Sequence, residues 1–326
     1  MRTRMLFLGL FGVLAIAVAP PLAEAESWPQ RPVKIVVPFA PGGNTDGIAR
    51  IMAQRLGDAL GHSFIVENRA GAGGAIAAEA VARSPADGYT LFMASPSQMA
   101  IVPAMMKTTP YDPVKDFAPI GVIGTNPYVL VVNPSMPVHT LGEFIDYVRA
   151  RPNMLSHAIA APGGVGHLAM ALFSKRAGLE LIPVMYRGGG VGPQTDVIAG
   201  HVPIFLANLS VAMPYTASGQ VRPLAVLSEK RVPQMPDVPT FIESGFQGFK
   251  IVNWNGLLAP AGTPREIVDL LSKEIAAAVK EPKLVELFTN FGVEPLGNTP
   301  EEFAAMIAAD LPLWADAVKI AGIEEK

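Results

Sequence analysis

The chain has no cysteine in 326 residues, so no disulfide, thiolate nucleophile or Cys-ligated metal can contribute to its structure or chemistry. Burial alone must hold it together. Aromatic residues make up only 7% of the chain, and 25 basic residues against 28 acidic ones leave a formal charge of −3. No basic run with interleaved aromatics is present, which argues against nucleic acid or an anionic membrane surface as a partner. Catalytic signatures are missing too: there is no H-E-x-x-H, no G-x-S-x-G, no phosphate-loop glycine–lysine pair and no EF-hand loop. The five histidines, His62, His139, His157, His167 and His201, include no i,i+4 pair to share a metal. Neither a metal nor a cofactor is called for.

Long apolar runs are limited to one, at the start. Arg2 and Arg4 precede an apolar stretch from Met5 to Val18, and Ala23-Glu24-Ala25 supplies a small-x-small cleavage pattern. The pattern is that of a secretory signal peptide cleaved after Ala25. A membrane anchor needs about 20 apolar residues, and Pro20 and Pro21 cut this run short. Cleavage leaves 301 residues, and the loss of Arg2, Arg4 and Glu24 leaves 23 basic and 27 acidic side chains, net −4. A chain of that size usually divides into domains of about 100 to 150 residues, so two lobes are expected.

Glycine and proline are plentiful, and they cluster in one organising stretch. Val33, Ile35, Val36 and Val37 read as a buried strand that breaks at Pro38, Pro41, Gly42 and Gly43. Asn44, Thr45 and Asp46 are good helix caps, and Ile48, Met52 and Leu56 follow at helical spacing. A strand, a glycine turn and a helix start form an anion site from backbone alone, because free N–H groups and the positive helix end converge there. An ordinary βα loop would use the same residues.

Further along, Ser63 to Glu67 reads as a strand, followed by Gly71, Gly73 and Gly74 and an alanine-rich helix. The glycines do not make a dinucleotide fingerprint, because the position that needs the third glycine is Ile76. A third strand, Tyr89 to Ala94, ends in Ser95-Pro96-Ser97. Ile120 to Val132 holds two strands interrupted at Gly124–Pro127, a passage between lobes, and Ile251 to Leu258 offers the return. Thr140 with Glu143 has capping-box spacing. Ala161 to Gly166 repeats the opening device, a glycine turn leading into a helix near His167, whose imidazole either contacts ligand or buttresses the turn. Ile182 to Tyr186 ends in Arg187-Gly188-Gly189-Gly190, and Arg187 pairs either with an anion or with a carboxylate across the lobe. Helices starting at Thr263-Pro264 and Thr299-Pro300 close the chain, and Pro312 should end or kink the last one near Asp310. Short strands alternating with helices predict an α/β fold with a doubly wound, mostly parallel sheet in each lobe. The expected division is 26–125 with 252–326 for lobe one and 126–251 for lobe two.

Seven ordered blocks carry a resemblance to a known family. They are Pro38–Asp46 with Ala49-Arg50, Val66–Arg69 with Gly71, Gly73 and Gly74, Asp87–Leu91, Tyr186–Gly189, Asp196 with Gly200, Pro236–Thr240, and Gly256–Pro264. Spread over the mature chain, they resemble the Bug family, the periplasmic substrate-binding proteins of tripartite tricarboxylate transporters. The resemblance implies a two-lobed (type II) periplasmic binding fold, a small carboxylate (a di- or tricarboxylate or an aromatic acid) in the cleft, and delivery to membrane permease subunits by a monomeric carrier. It also implies ligand contacts from Phe39, Ala40, Pro41, Gly42, Gly43, Asn44, Thr45 and Asp46 in the first loop. Pro162, Gly163, Gly164, Val165 and His167 would serve from the second. Apart from the resemblance, Ser95, Ser97, Arg187, Gly188 and Asn208 are further candidate contacts. Pro162, Gly164, Pro203 and Ala207 stand where that family often carries Asn, Ser or Asp, so the polar set of lobe two is thinner.

Three other classes use the same scaffold. A ligand sensor for a signalling partner would need nothing different in this chain. A cytosolic regulator would need a DNA-binding helix pair and no leader. An exported hydrolase would need a nucleophile and base, for which Ser95 or Ser97 with His167 are the candidates. The exported form is expected to begin at Glu26 in the periplasm, and the intact mass of the secreted protein checks this. Residues 1–25 retained on a membrane-bound form would refute it.

Overall fold

The computed structural model describes residues 28–186, 189–249, 251 and 253–323. The expected leader and the pair Arg187 and Gly188 lie outside the described residues. The chain begins with β1 (Val33–Val37), α1 (Asn44–Leu60), β2 (Phe64–Asn68), α2 (Ala75–Ala82), β3 (Thr90–Ala94), α3 (Val102–Met105) and β4 (Phe117–Asn126). It continues through β5 (Tyr128–Val132), α4 (Leu141–Arg149), β6 (Ser156–Ile159), α5 (Val165–Ala177), β7 (Ile182–Met185), α6 (Val191–Ala199), β8 (Ile204–Asn208), α7 (Leu209–Ala217) and β9 (Arg222–Leu227). The return comprises β10 (Asn253–Pro260), α8 (Arg265–Ala278), α9 (Pro282–Asn290), β11 (Glu294–Pro295) and α10 (Pro300–Ala321).

Two sheets result, in the orders β11-β4-β10-β3-β1-β2 and β7-β6-β8-β5-β9. Most strands of each sheet run in one direction: in the first, β10 and the two-residue edge strand β11 run against the other four, and in the second β5 runs against the other four. The alternation of side chains along a strand explains why both faces of each sheet need helices. Val33, Ile35 and Val37 of β1 pack with Ile48, Met52 and Leu56 of α1 and with Leu271 and Ile275 of α8. Val36 faces the other way, toward Ala78 and Val81 of α2 and Phe303 and Ile307 of α10. In the second sheet Leu130 and Val132 join one core and Val129 and Val131 another. Only Pro127 separates β4 in the first sheet from β5 in the second, so the passage is tighter than the Gly124–Pro127 break expected from sequence.

Three local readings change. Thr263 does not cap α8; its hydroxyl bonds Pro260 O at 2.8 Å, and Pro264 takes the cap position without a side-chain hydrogen bond. An unforeseen helix, α7, follows β8 at once; Pro214 inside it and the lack of a side-chain cap hid it. Pro312 does not end α10. An internal proline costs a helix about 3 kcal/mol, but here the residues beyond it are anchored: Trp314 and Val318 are buried in the second sheet's core beside Phe173 of α5. The final stretch of the range assigned to lobe one thus completes the core of lobe two.

Phe173 is fully buried with its ring centroid 5.1 Å from Phe241, 5.2 Å from Phe246 and 6.3 Å from Phe144. Phe173→Ala should cost about 3 to 5 kcal/mol, the range for deleting a buried aromatic. Thr299→Ala, which removes the capping box of α10, should cost about 1 kcal/mol. Urea unfolding of both variants tests the ranking, and equal losses would overturn it.

Candidate functional site

The carboxyl ends of β1, β3, β6, β7 and β8 open on one cavity between the sheets, where an α/β fold places ligands. Its wall includes Phe39, Gly43, Asn44 and Thr45 at the start of α1, and Ser95 and Ser97 beyond β3. Ala158 to Ala161 and Gly164 to His167 contribute from β6 and α5, and Gly189 and Gly190 from the turn before α6. Phe205, Leu206 and Asn208 of β8, with Tyr128 and Asn253 of the crossing strands, complete it. None of these lining residues is charged.

The two glycine turns are built alike. In each, a glycine with positive φ donates its N–H to the side chain four residues on, and the next glycine, in extended conformation, caps the helix. Gly42 (φ 85°) donates to Asp46 Oδ2 at 2.9 Å, and Gly163 (φ 73°) donates to His167 Nδ1 at 3.3 Å. Gly43 (φ −81°) and Gly164 (φ −79°) are the caps. A residue with Cβ at the first of these positions would be strained. At the second, extended backbone admits any residue, but only glycine leaves the cap without a side chain.

Asp46 is therefore turned into its own loop and away from the cavity. It is buried, and besides Gly42 it accepts from Arg50 Nε at 2.9 Å, Arg50 Nη2 at 3.0 Å and Asn68 Nδ2 at 2.9 Å. Asn68 Nδ2 also donates to Phe39 O at 2.9 Å, which closes the loop on itself. Burial opposes ionisation of Asp46, but the hydrogen bonds from Arg50, Gly42 and Asn68 outweigh it and hold the carboxyl below its usual range. Ala40, Pro41 and Gly42 also lie off the cavity wall; Pro41 and Gly42 are on the exposed outer rim. Pro162 and Gly163 pack on lobe one instead: a Cβ added at Gly73 would stand 2.8 Å from Pro162 O, so no side chain fits between the loops.

Sequence reasoning missed the floor. Asn126 Oδ1 accepts from Asn253 Nδ2 and Asn255 Nδ2, each at 2.8 Å, and Asn126 Nδ2 donates to Asn208 Oδ1. Asparagine is depleted in strands, so Asn253 and Asn255, alternate residues in an otherwise apolar strand, carried a readable signal of a polar face. Tyr128 and Phe205 carried none, since any buried strand could hold them.

A larger hollow, about 560 Å³, lies between the loop after β9 and the turn from α9 to β11. Its walls mix Glu229, Lys230, Arg231 and Glu294 with apolar residues, and its one glycine, Gly292, follows the end of α9 and does not start a helix. Chemistry, not size, selects the smaller cavity.

Two α/β lobes joined by crossing strands, with a cavity ringed by helix starts, define a two-lobed solute-binding protein. The match to known proteins agrees. The chain belongs to the tripartite tricarboxylate transporter receptor family, whose model matches residues 48–323. It is 37% identical over 326 residues to protein BugT of Bordetella pertussis, covering 99% of both chains. The structure of R. palustris Rpa4515 with adipate superposes with a TM-score of 0.88 at 38% identity, over 91% of this chain and 99% of that one. MatC from Rhodopseudomonas palustris with bound malate gives 0.84 at 31% identity, over 89% and 100%. The family is one of substrate-binding receptors rather than enzymes. No helix among the described residues is long and apolar enough to cross a membrane.

The buried His157 and the half-buried His167 at the second loop give the fold a pH dependence. Burial, reinforced by the nearby His167, pushes His157 down to about 4, and burial also lowers His167. The unfolded chain binds these protons near pH 6.5 and the folded chain does not, so stability rises with pH through this window. It should be full above about pH 6.5 and fall on acidification, with His157 accounting for a loss on the order of 1 to 2 kcal/mol by pH 5. Urea midpoints at pH 7 and 5, for wild type and His157→Gln, test this. A wild type no less stable at pH 5 would overturn it.

Proposed function

We propose that the chain is an extracytoplasmic receptor that captures a small carboxylate between its lobes and delivers it to the permease subunits of a tripartite transporter. One observation carries the reading: the N-cap residues of α1, α5, α6 and α7, namely Gly43, Gly164, Gly190 and Asn208, all line the cavity, and none makes a side-chain cap hydrogen bond. Leu209 N–H of α7 is taken by Pro127 O, but the uncapped N–H groups that remain at these helix starts and their positive dipole ends suit an anion. A hydrogen bond to a charged group is worth about 1.5 to 3 kcal/mol, and micromolar binding requires about 8 kcal/mol net. Several such donors, less the cost of association, reach that range.

The ligand of this chain is a non-amino acid. A buried ammonium wants an anionic partner, and Asp46, the acidic residue nearest the cavity in sequence, is spent on its own loop. Adipate and malate, held by two relatives, are the first probes to try. The mature protein acts as a periplasmic monomer, closing 126–251, with the end of α10 packed on it, against 26–125 and the rest of 252–326. Hydrolysis is disfavoured because Ser95 Oγ donates to Gln98 Oε1 and His167 Nδ1 is held by Gly163, leaving no serine–histidine pair among the described residues.

A thermal-shift panel of mono-, di- and tricarboxylates, amino acids and sugars tests the reading. A true ligand at a hundredfold excess over Kd should add about 2.7 kcal/mol. Stabilisation by sugars alone, or tighter binding of a 2-amino analogue than of its parent dicarboxylate, would overturn it. Asp46→Ala frees Gly42 N–H and Asn68, so it should weaken binding by about 1 to 3 kcal/mol. Arg50, half exposed at the outer end of the pair, should cost under about 1 kcal/mol as Arg50→Gln. Calorimetry that reverses this order would show that a side-chain charge, not the loop conformation, holds the ligand.

A further inference from the structure

The first residue of α1 and the second of α7 come from opposite lobes and meet over the cavity. Ser210 Oγ donates to Asn44 Oδ1 at 2.8 Å. Asn44 lines the cavity and is 4% exposed, and its Nδ2 is buried without a protein partner. The start of α7 is also pressed against lobe one: a Cβ added at Gly292 would stand 3.2 Å from Ser210 N and Leu209 Cγ.

An asparagine amide offers a carbonyl on one side and two N–H donors on the other, and its last torsion has two nearly equivalent settings. Left alone, Asn44 could present either end to a ligand. Ser210 removes that choice. With the carbonyl oxygen engaged by the serine, the amide nitrogen is the atom left for a bound molecule. Resting on the capture reading above, we propose that Ser210 is a positioning residue that sets the selectivity of the site from across the cleft. It fixes the Asn44 amide so that this point of the wall only donates, and it does so only when the lobes are together. A carboxylate oxygen meets a donor there, whereas a hydroxyl or ammonium hydrogen finds no acceptor. Closure and recognition of an acceptor atom are thereby one event.

The test is a double-mutant cycle with adipate and malate as probes. Ser210→Ala should weaken binding about 5- to 10-fold, the size of one charge-assisted hydrogen bond lost in part. Ser210→Thr, which keeps the hydroxyl, should restore affinity to within about threefold of wild type on the same scale. Asn44→Ala should be at least as damaging as Ser210→Ala. The double variant should bind no more weakly than Asn44→Ala, because Ser210 acts through Asn44. Additive losses, or a Ser210→Ala variant that binds like wild type, would overturn the proposal. A second measurement needs no ligand. The side-chain amide signal of Asn44 in a ¹H–¹⁵N spectrum, identified by its loss in Asn44→Ala, should shift in Ser210→Ala and return in Ser210→Thr. A signal indifferent to Ser210 would refute the cross-cleft contact. If no carboxylate binds the wild type, the capture reading fails, and the amide signal alone decides whether Ser210 orients Asn44.

Discussion

Backbone N–H groups left open at helix starts are the constraint from which the rest of this structure follows. An N-terminal cap contributes about 1 kcal/mol to a helix, and the chain takes that gain at α4 and α10, which both begin away from the cavity, while α2, α3, α8 and α9 go without a side-chain cap. Thr140 accepts from Glu143 N–H, and Thr299 forms a full capping box with Glu302. At the cavity it forgoes it. Gly43, Gly164 and Gly190 have no side chain to turn back, and Asn208 has one but spends it on Asn126. Donors that would otherwise be satisfied internally stay on the wall, and the strands beneath them supply position rather than chemistry.

Open donors are useful only if they stay in place. The side chain at the third helical position does that work in both loops, by holding the N–H of the positive-φ glycine just outside. The acceptors differ. A carboxylate does this in lobe one, steadied by Arg50 and Asn68, and a neutral imidazole does it in lobe two. An imidazole nitrogen that accepts a hydrogen bond cannot also carry a proton. Acidification therefore breaks the second loop's bond by protonating the imidazole and the first loop's by protonating a carboxyl held below its usual range.

What could be read from the sequence was whatever is decided locally. The β-branched run Val33–Val37, the glycine turns at 42–43 and 163–164, and the caps at Thr140 and Thr299 each announce themselves within a few residues. The lobe passages showed for the same reason, as breaks in apolar strands. Asp46 was expected at the ligand from the resemblance and as a helix cap from its own place in the turn, and the approach of Asn68, twenty-two residues away, shows that it faces inward. Thr263 misled because its hydroxyl found a nearer carbonyl at Pro260. The cavity floor was out of reach in another way. Asn208 was among the expected contacts, but Tyr128 and Phe205 meet Asn253 only through the pairing of β5 with β8 and the separate return of β10, which is a property of the whole topology.

The last helix ties the lobes together more firmly than two crossing strands would. Phe303 and Ile307 of α10 are buried in the first lobe, while Trp314 and Val318 are buried in the second. A fragment spanning 126–251 would lack these last two and leave its aromatic cluster partly open to water. The lobes are thus two walls of a cleft that share their last helix, and the core of the second is complete only once the final turns of the chain are in place.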